Sequence, residues 1–132
     1  MNRLSRALSP GRGIALTLLL AAGFVAGCGR SLDDDPNSPV SVTVEQTYLT
    51  IGNKAGSALV DGTIELVPAG VLAPYRTSLP RVESGSSREI RYDLFSGAGG
   101  ARFVRGGTRI RSVRVVAVDN TGKTHKREVP FN

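Results

Sequence analysis

The sequence is poor in the residues that most often carry chemistry, with one Cys, one His and no Trp among 132 residues. A lone Cys excludes an internal disulfide framework and any Cys-rich zinc site. A lone His excludes a multi-histidine metal centre and leaves little acid–base capacity near neutral pH. Aromatic residues make up 5% of the chain, too few for the stacking platforms that hold single-stranded nucleic acid. The one sustained apolar run, residues 14–27, rises only ~21 Å as a helix against a ~30 Å hydrocarbon core. A permanent transmembrane span is therefore not expected. The length leaves room for one domain.

Arg3, Arg6 and Arg12 precede the apolar run, and no acid occurs before Asp33. A basic start, a short apolar stretch and small residues at its end form a secretory signal. The run closes on Val25-Ala26-Gly27-Cys28, which resembles the lipobox of bacterial lipoproteins: an aliphatic residue, two small ones, then Cys. The resemblance covers the first 28 residues. It implies cleavage between Gly27 and Cys28, conversion of Cys28 to a diacylglyceryl cysteine through its sulfur, and acylation of the new amino terminus, palmitate being a usual acyl group. An ordinary signal peptide followed by an unrelated Cys is the alternative. Two acyl chains anchor a protein stably, each buried methylene contributing ~0.8 kcal/mol. The expected location is the cell envelope, lipid-anchored and facing the periplasm or the surface. Gly29 stands where some bacteria place an inner-membrane retention Asp, which favours the outer membrane where the cell has one.

These boundaries assign 1–27 to the signal peptide, 28–39 to the lipidated Cys and a flexible tether, and 40–132 to one domain. The tether has no apolar periodicity, and Pro36 and Pro39 block regular structure. Its Asp33-Asp34-Asp35 run reads as solvated linker, so no metal is expected. Losing Arg3, Arg6 and Arg12 with the leader leaves fourteen basic residues against eleven acids, a net charge of +3 where the whole chain has +6. Nucleic acid is not an expected partner.

From Val40 onward the hydrophobic period is two. Val40, Val42 and Val44 alternate with polar residues, Leu49 and Ile51 continue on the other parity, and a bulge or turn is expected near Gln46. Ile64 and Leu66 form another alternating pair, and Ile90, Tyr92 and Leu94 a third set. Each predicts a strand with one buried face. Gly52-Asn53, Asp61-Gly62, Pro68-Ala69-Gly70, Ser84-Gly85 and Gly106-Gly107 read as turns between them. Near the end, Asp119-Asn120-Thr121-Gly122 predicts a hairpin with a three-residue loop that pairs Asp119 with Lys123. That register sets Arg114 opposite Glu128 and Val113 opposite Val129, whereas a register one residue shorter opposes Arg114 and Arg127, a destabilising like-charge pair. Valines on both parities of 109–118 leave its inward face open; a central strand covered on both sides would produce that mixture.

About seven short strands with frequent turns predict an all-β, single antiparallel β-sandwich. In this rhythm, in the 79–95 stretch and in the closing hairpin, the domain resembles bacterial Ig-like modules, without the Trp and paired Cys of antibody domains.

Motif tests are mostly negative. Thr121-Gly122-Lys123-Thr124 ends like a P-loop, but Ala117 occupies the first Gly position and the setting is a hairpin. Gly97-Ala98-Gly99-Gly100-Ala101-Arg102 starts like a dinucleotide fingerprint, but Arg102 replaces its last Gly and no helix follows. His125 is the only candidate imidazole base, no G-x-S-x-G elbow accompanies it, and it is expected on a surface hairpin as an ordinary strand residue. No cofactor is implied, and the chain is not expected to be an enzyme. One cluster stands out. Arg102, Arg105, Arg109, Arg111 and Arg114 fall together in a stretch, 94–118, that contains no acid. On a strand, Arg109 and Arg111 would share a face and present adjacent forks to phosphate or carboxylate groups. The alternative is a solvated face that protects a strand edge. The expected role is a non-catalytic accessory module that docks on another envelope protein; the alternative is a binding module for an anionic lipid or glycan through the arginine-rich segment.

Overall fold

A computed structural model describes residues 35–132, and Val25, Ala26, Gly27 and Cys28 lie outside the described residues. Seven strands follow in chain order: β1 (Val40–Val44), β2 (Tyr48–Asn53), β3 (Leu59–Pro68), β4 (Tyr75–Ser78), β5 (Ser87–Arg91), β6 (Ile110–Asp119) and β7 (Thr124–Pro130). They form two antiparallel sheets, one ordered β1-β2-β5 and the other β4-β3-β6-β7. The domain is an all-β sandwich, as the period-two pattern predicts. In a constant-type Ig domain the fourth strand belongs to the first sheet; here β4 lies at the edge of the second, beside β3.

The core lies between the inward faces. Leu49 and Ile51 of β2 meet Ile64 and Leu66 of β3 and Val113, Val115 and Ala117 of β6, and all are fully buried. The last hairpin forms in the expected register. The Asp119 amide donates to the Lys123 carbonyl at 2.9 Å, Arg114 faces Glu128, and Val113 faces Val129. Gly122 has φ +86°, the left-handed conformation that this loop needs and that Gly adopts without a Cβ clash. Near Gln46 the chain makes a tight turn, with the Glu45 amide donating to the Tyr48 carbonyl at 3.0 Å.

Several expectations are corrected. Gly52-Asn53 and Asp61-Gly62 are not turns but parts of β2 and β3. A Cβ on Gly62 would lie 3.0 Å from the Leu79 side chain and 3.1 Å from the Val116 carbonyl oxygen, so the glycine serves close packing inside a strand. Asn53 is buried because its side chain organises the next loop: Nδ2 donates to the carbonyls of Ser57 and Val82, and Oδ1 accepts from the Ala55 amide. The strand expected through Leu94 stops at Arg91, because β2 begins at Tyr48, the partner of Arg91, and offers no backbone beyond it. A 3₁₀ turn over Tyr92–Leu94 then buries Tyr92 and leaves Leu94 57% exposed. β6 is central within its sheet but covered on one face only; Val116 and Val118 point outward and are half-buried by neighbours in the same sheet.

The connections separate into two poles. The β2–β3, β4–β5 and β6–β7 connections converge at one, joined by the Asn120 amide to the Ala58 carbonyl and by Leu59 and Val82 exchanging backbone hydrogen bonds. Residues 35–39 lead into β1 from this side as a turn, closed by the Ser38 amide on the Asp35 carbonyl, which Arg127 also contacts at 3.3 Å. The β1–β2 turn, the β3–β4 loop, the long 92–109 crossover and the end of β7 gather at the opposite pole.

Candidate functional site

The five clustered arginines separate into two structural and three free ones. Arg114 lies on the outward face of β6, in a row that crosses all four strands: Arg76 of β4, Glu65 of β3, Arg114, and Glu128 of β7. Signs alternate along it. Arg76 Nε donates to Glu65 Oε1 at 2.7 Å, and Arg114 reaches Glu65 Oε2 and Glu128 Oε2 at 3.4 Å each. Ser112 Oγ donates to the other Glu128 oxygen at 2.6 Å. Adjacent opposite charges on one sheet face stabilise strand pairing, and Arg114 is thereby occupied.

Arg105 clamps the far pole. Its Nη1 donates to the carbonyls of Glu45 and Gln46 and to the Tyr92 hydroxyl, and its Nη2 donates to the Asn132 carbonyl. The guanidinium also lies 5.3 Å from the Tyr92 ring centroid and 5.0 Å from that of Phe131, a cation–π arrangement. It therefore ties the β1–β2 turn, the crossover and the end of β7 to one another. Burial pushes the Tyr92 hydroxyl pKa up, against the opposing pull of Arg105. Beneath the clamp, the scarce aromatics collect. Tyr75 meets Phe103 at 5.3 Å between centroids, and Tyr92 meets Phe103 and Phe131 at 5.8 Å each. Edge-on rings of this kind make a stiff support for the loops above.

Arg102, Arg109 and Arg111 are exposed and, among the described residues, make no side-chain ion pair or hydrogen bond. Arg109 precedes β6, and Arg111 occupies the bulge between the Val67–Ser112 and Pro68–Ile110 pairs. The strand-face spacing expected for this pair therefore does not hold there. What accompanies these arginines went unread in the sequence: four large aliphatic side chains stand in solvent on the same pole. Val71 is 103% exposed, Leu72 63%, Val104 69% and Leu94 57%. Backbone contacts hold their loops together, with the Ala69 amide on the Arg109 carbonyl and the Phe103 amide on the Phe95 carbonyl. Ser96 forms isolated bridges to both Arg76 and Arg102. Beside β5, a cleft of about 360 Å³ is lined by Thr47, Tyr48, Glu89, Arg91, Tyr92 and Asp93; Arg91 and Asp93 pair across its rim at 2.7 Å.

His125 corrects a further expectation, for it is buried rather than on the surface. It pairs with Ala117, on the inward parity of β7, and its Nε2 lies 2.9 Å from Asp119 Oδ2. The other Asp119 oxygen accepts from Thr121 Oγ1 at 2.6 Å and from the Thr121 and Lys123 amides. These donors, the Thr121 hydroxyl foremost and His125 next, hold the Asp119 carboxyl well below the usual carboxylate range. The only hydroxyl in this group donates to the carboxylate and not to the imidazole, so no nucleophile is presented to a base. The pair locks the hairpin. Among the described residues no group of three His, Cys, Asp or Glu side chains is arranged to hold a metal, and no helix is long and apolar enough to cross a membrane.

Comparison with known proteins adds no functional information: no family model, no curated protein and no solved structure matches the chain.

Proposed function

We propose that this chain is a bacterial envelope lipoprotein, anchored through Cys28, whose β-sandwich is a non-catalytic accessory module that docks on another envelope protein. The observation that carries the docking role is the far pole, where four exposed aliphatic side chains stand on a braced aromatic support. Exposed apolar groups gathered in one place mark interaction surfaces, unlike single scattered ones. Residues 35–39 enter β1 at the other pole, so the docking loops lie at the end of the domain opposite that entry. The anchor is tested by fractionating cells that carry the full chain with Cys28→Ala. The variant is expected to leave the membrane fraction or to remain uncleaved, and a processed variant that stays on the membrane would remove the lipoprotein reading.

A second reading rests on the freedom of Arg102, Arg109 and Arg111: a site for an anionic lipid or glycan. It calls for binding that weakens steeply with salt and survives Leu72→Ser, whereas docking on a protein is lost with that substitution.

A further inference from the structure

We infer that the far pole recognises an acidic protein surface, one that offers an apolar recess ringed by carboxylates. The inference rests on the docking role just proposed and adds the chemistry of the partner. Its basis is the distribution of charge on the loops that carry the aliphatic side chains. No acid occurs in residues 66–82 or in 94–118, the two stretches that contain Val71 and Leu72 on one side and Leu94 and Val104 on the other. The same stretches present three exposed guanidinium groups, Arg102, Arg109 and Arg111, with no partner among the described residues. The other arginines there are already engaged: Arg76 and Arg114 by glutamates, Arg81 by Glu83, and Arg105 by the clamp. The carboxylates nearest this pole outside the ion-paired row, Glu45, Glu89 and Asp93, belong to the three-stranded sheet and its connections, away from the loops that carry the aliphatic side chains at 71–72 and 104, and Asp93 is held by Arg91.

Partner-free arginines on the loops that carry protruding aliphatic groups select an acidic complement, because like charges brought together across an interface oppose association and opposite charges steer it. A second copy of this pole fails that condition, since it would set arginine against arginine. An anionic bilayer would meet it, but residues 35–39, through which the proposed tether joins the domain, lie at the opposite pole. The aromatic support and the Arg105 clamp also hold the loops in one arrangement, which lowers the ordering penalty for a partner of fixed shape.

The experiment is site-specific photo-cross-linking in intact cells that carry the full-length chain, with a diazirine side chain in place of Leu72 and, in a parallel strain, in place of Val60. Val60 is the exposed aliphatic residue near the tether pole. The expected result is one protein adduct from position 72, joined at a peptide that contains Asp or Glu, and reduced at least ~10-fold when Arg109→Glu and Arg111→Glu are combined. Both arginines are exposed, so the charge-reversed chain should keep its melting temperature, which is measured alongside. An adduct insensitive to the reversal overturns the acidic complement. Adducts consisting of phospholipid, or of two copies of the chain, overturn the choice of partner. A protein adduct from position 60 alone overturns the pole while leaving the docking role intact, and silence at both positions removes the docking role as well.

Discussion

Replacing Arg105 with Ala tests most directly whether the arginine-rich segment divides as described. Arg105 sits over two rings, Tyr92 at 5.3 Å and Phe131 at 5.0 Å. Cation–π contacts at exposed sites contribute ~0.5–1 kcal/mol each. The hydrogen bond to the part-buried Tyr92 hydroxyl, 3.1 Å long, adds about 1 kcal/mol after water's competition is counted. The carbonyls of Gln46 and Asn132 regain water when the guanidinium leaves, and contribute little. The expected loss is therefore about 2–3 kcal/mol, or a fall in melting temperature of roughly 8–24 °C for a domain of this size. Arg109→Ala, which removes an exposed side chain with no partner, should stay within ~0.5 kcal/mol of the wild type. Arg105→Lys should recover only a fraction, because an ammonium cannot supply the planar fork that reaches several acceptors at once. The assay is thermal unfolding of the 35–132 domain by far-UV circular dichroism. Equal, small effects at positions 105 and 109 would refute the clamp and return all five arginines to the role of a solvated face.

Other substitutions probe the remaining devices. Glu65→Gln removes the shared partner of Arg76 and Arg114 and should cost about 1 kcal/mol at low ionic strength, with the difference narrowing in 1 M salt when read as a urea midpoint. Leu66→Ala, at a fully buried position between the sheets, should lose ~2–5 kcal/mol, measured by denaturant unfolding with an unchanged slope. Gly62→Ala forces a Cβ to 3.0 Å from Leu79 and 3.1 Å from the Val116 carbonyl and should cost ~1–3 kcal/mol without altering the far pole. Asp119 has a depressed folded-state pKa, so its stabilising effect is complete above the unfolded carboxylate value of ~3.9 and is lost as pH falls below that range. Unfolding measured from pH 7 to pH 2 should show wild type and Asp119→Asn converging only below about pH 4; a gap that widened on acidification would contradict the hydrogen-bond arrangement.

The sequence by itself determined the layers and much of the register. Alternation at Leu49 and Ile51, and at Ile64 and Leu66, decided which faces turn inward, because a slip of one residue would expose every one of them; in β6, with valines on both parities, only the packing of the two sheets chose Val113 and Val115. The spacing of Asp119 and Gly122 and the charges on Arg114 and Glu128 were enough to set the last hairpin, since turn and cross-strand pair are local along the chain. Only the tertiary structure decided the rest. Leu94 belongs to the same alternation as Ile90 and Tyr92, yet it is exposed because β2 ends opposite Arg91 and leaves nothing to pair with. Arg105 and Arg114 are engaged through neighbours supplied by distant parts of the chain: Glu45, Glu65 and Phe131 lie 60, 49 and 26 residues away in sequence from the arginines they meet. The exposed aliphatic pole depends on the same long-range folding. Val71 and Leu72 lie at the same end of the domain as Leu94 and Val104 only because two loops, some twenty to thirty residues apart in sequence, gather at one end of two sheets. Periodicity reports which side of its own strand a residue occupies; it carries no information about which other segments will arrive there.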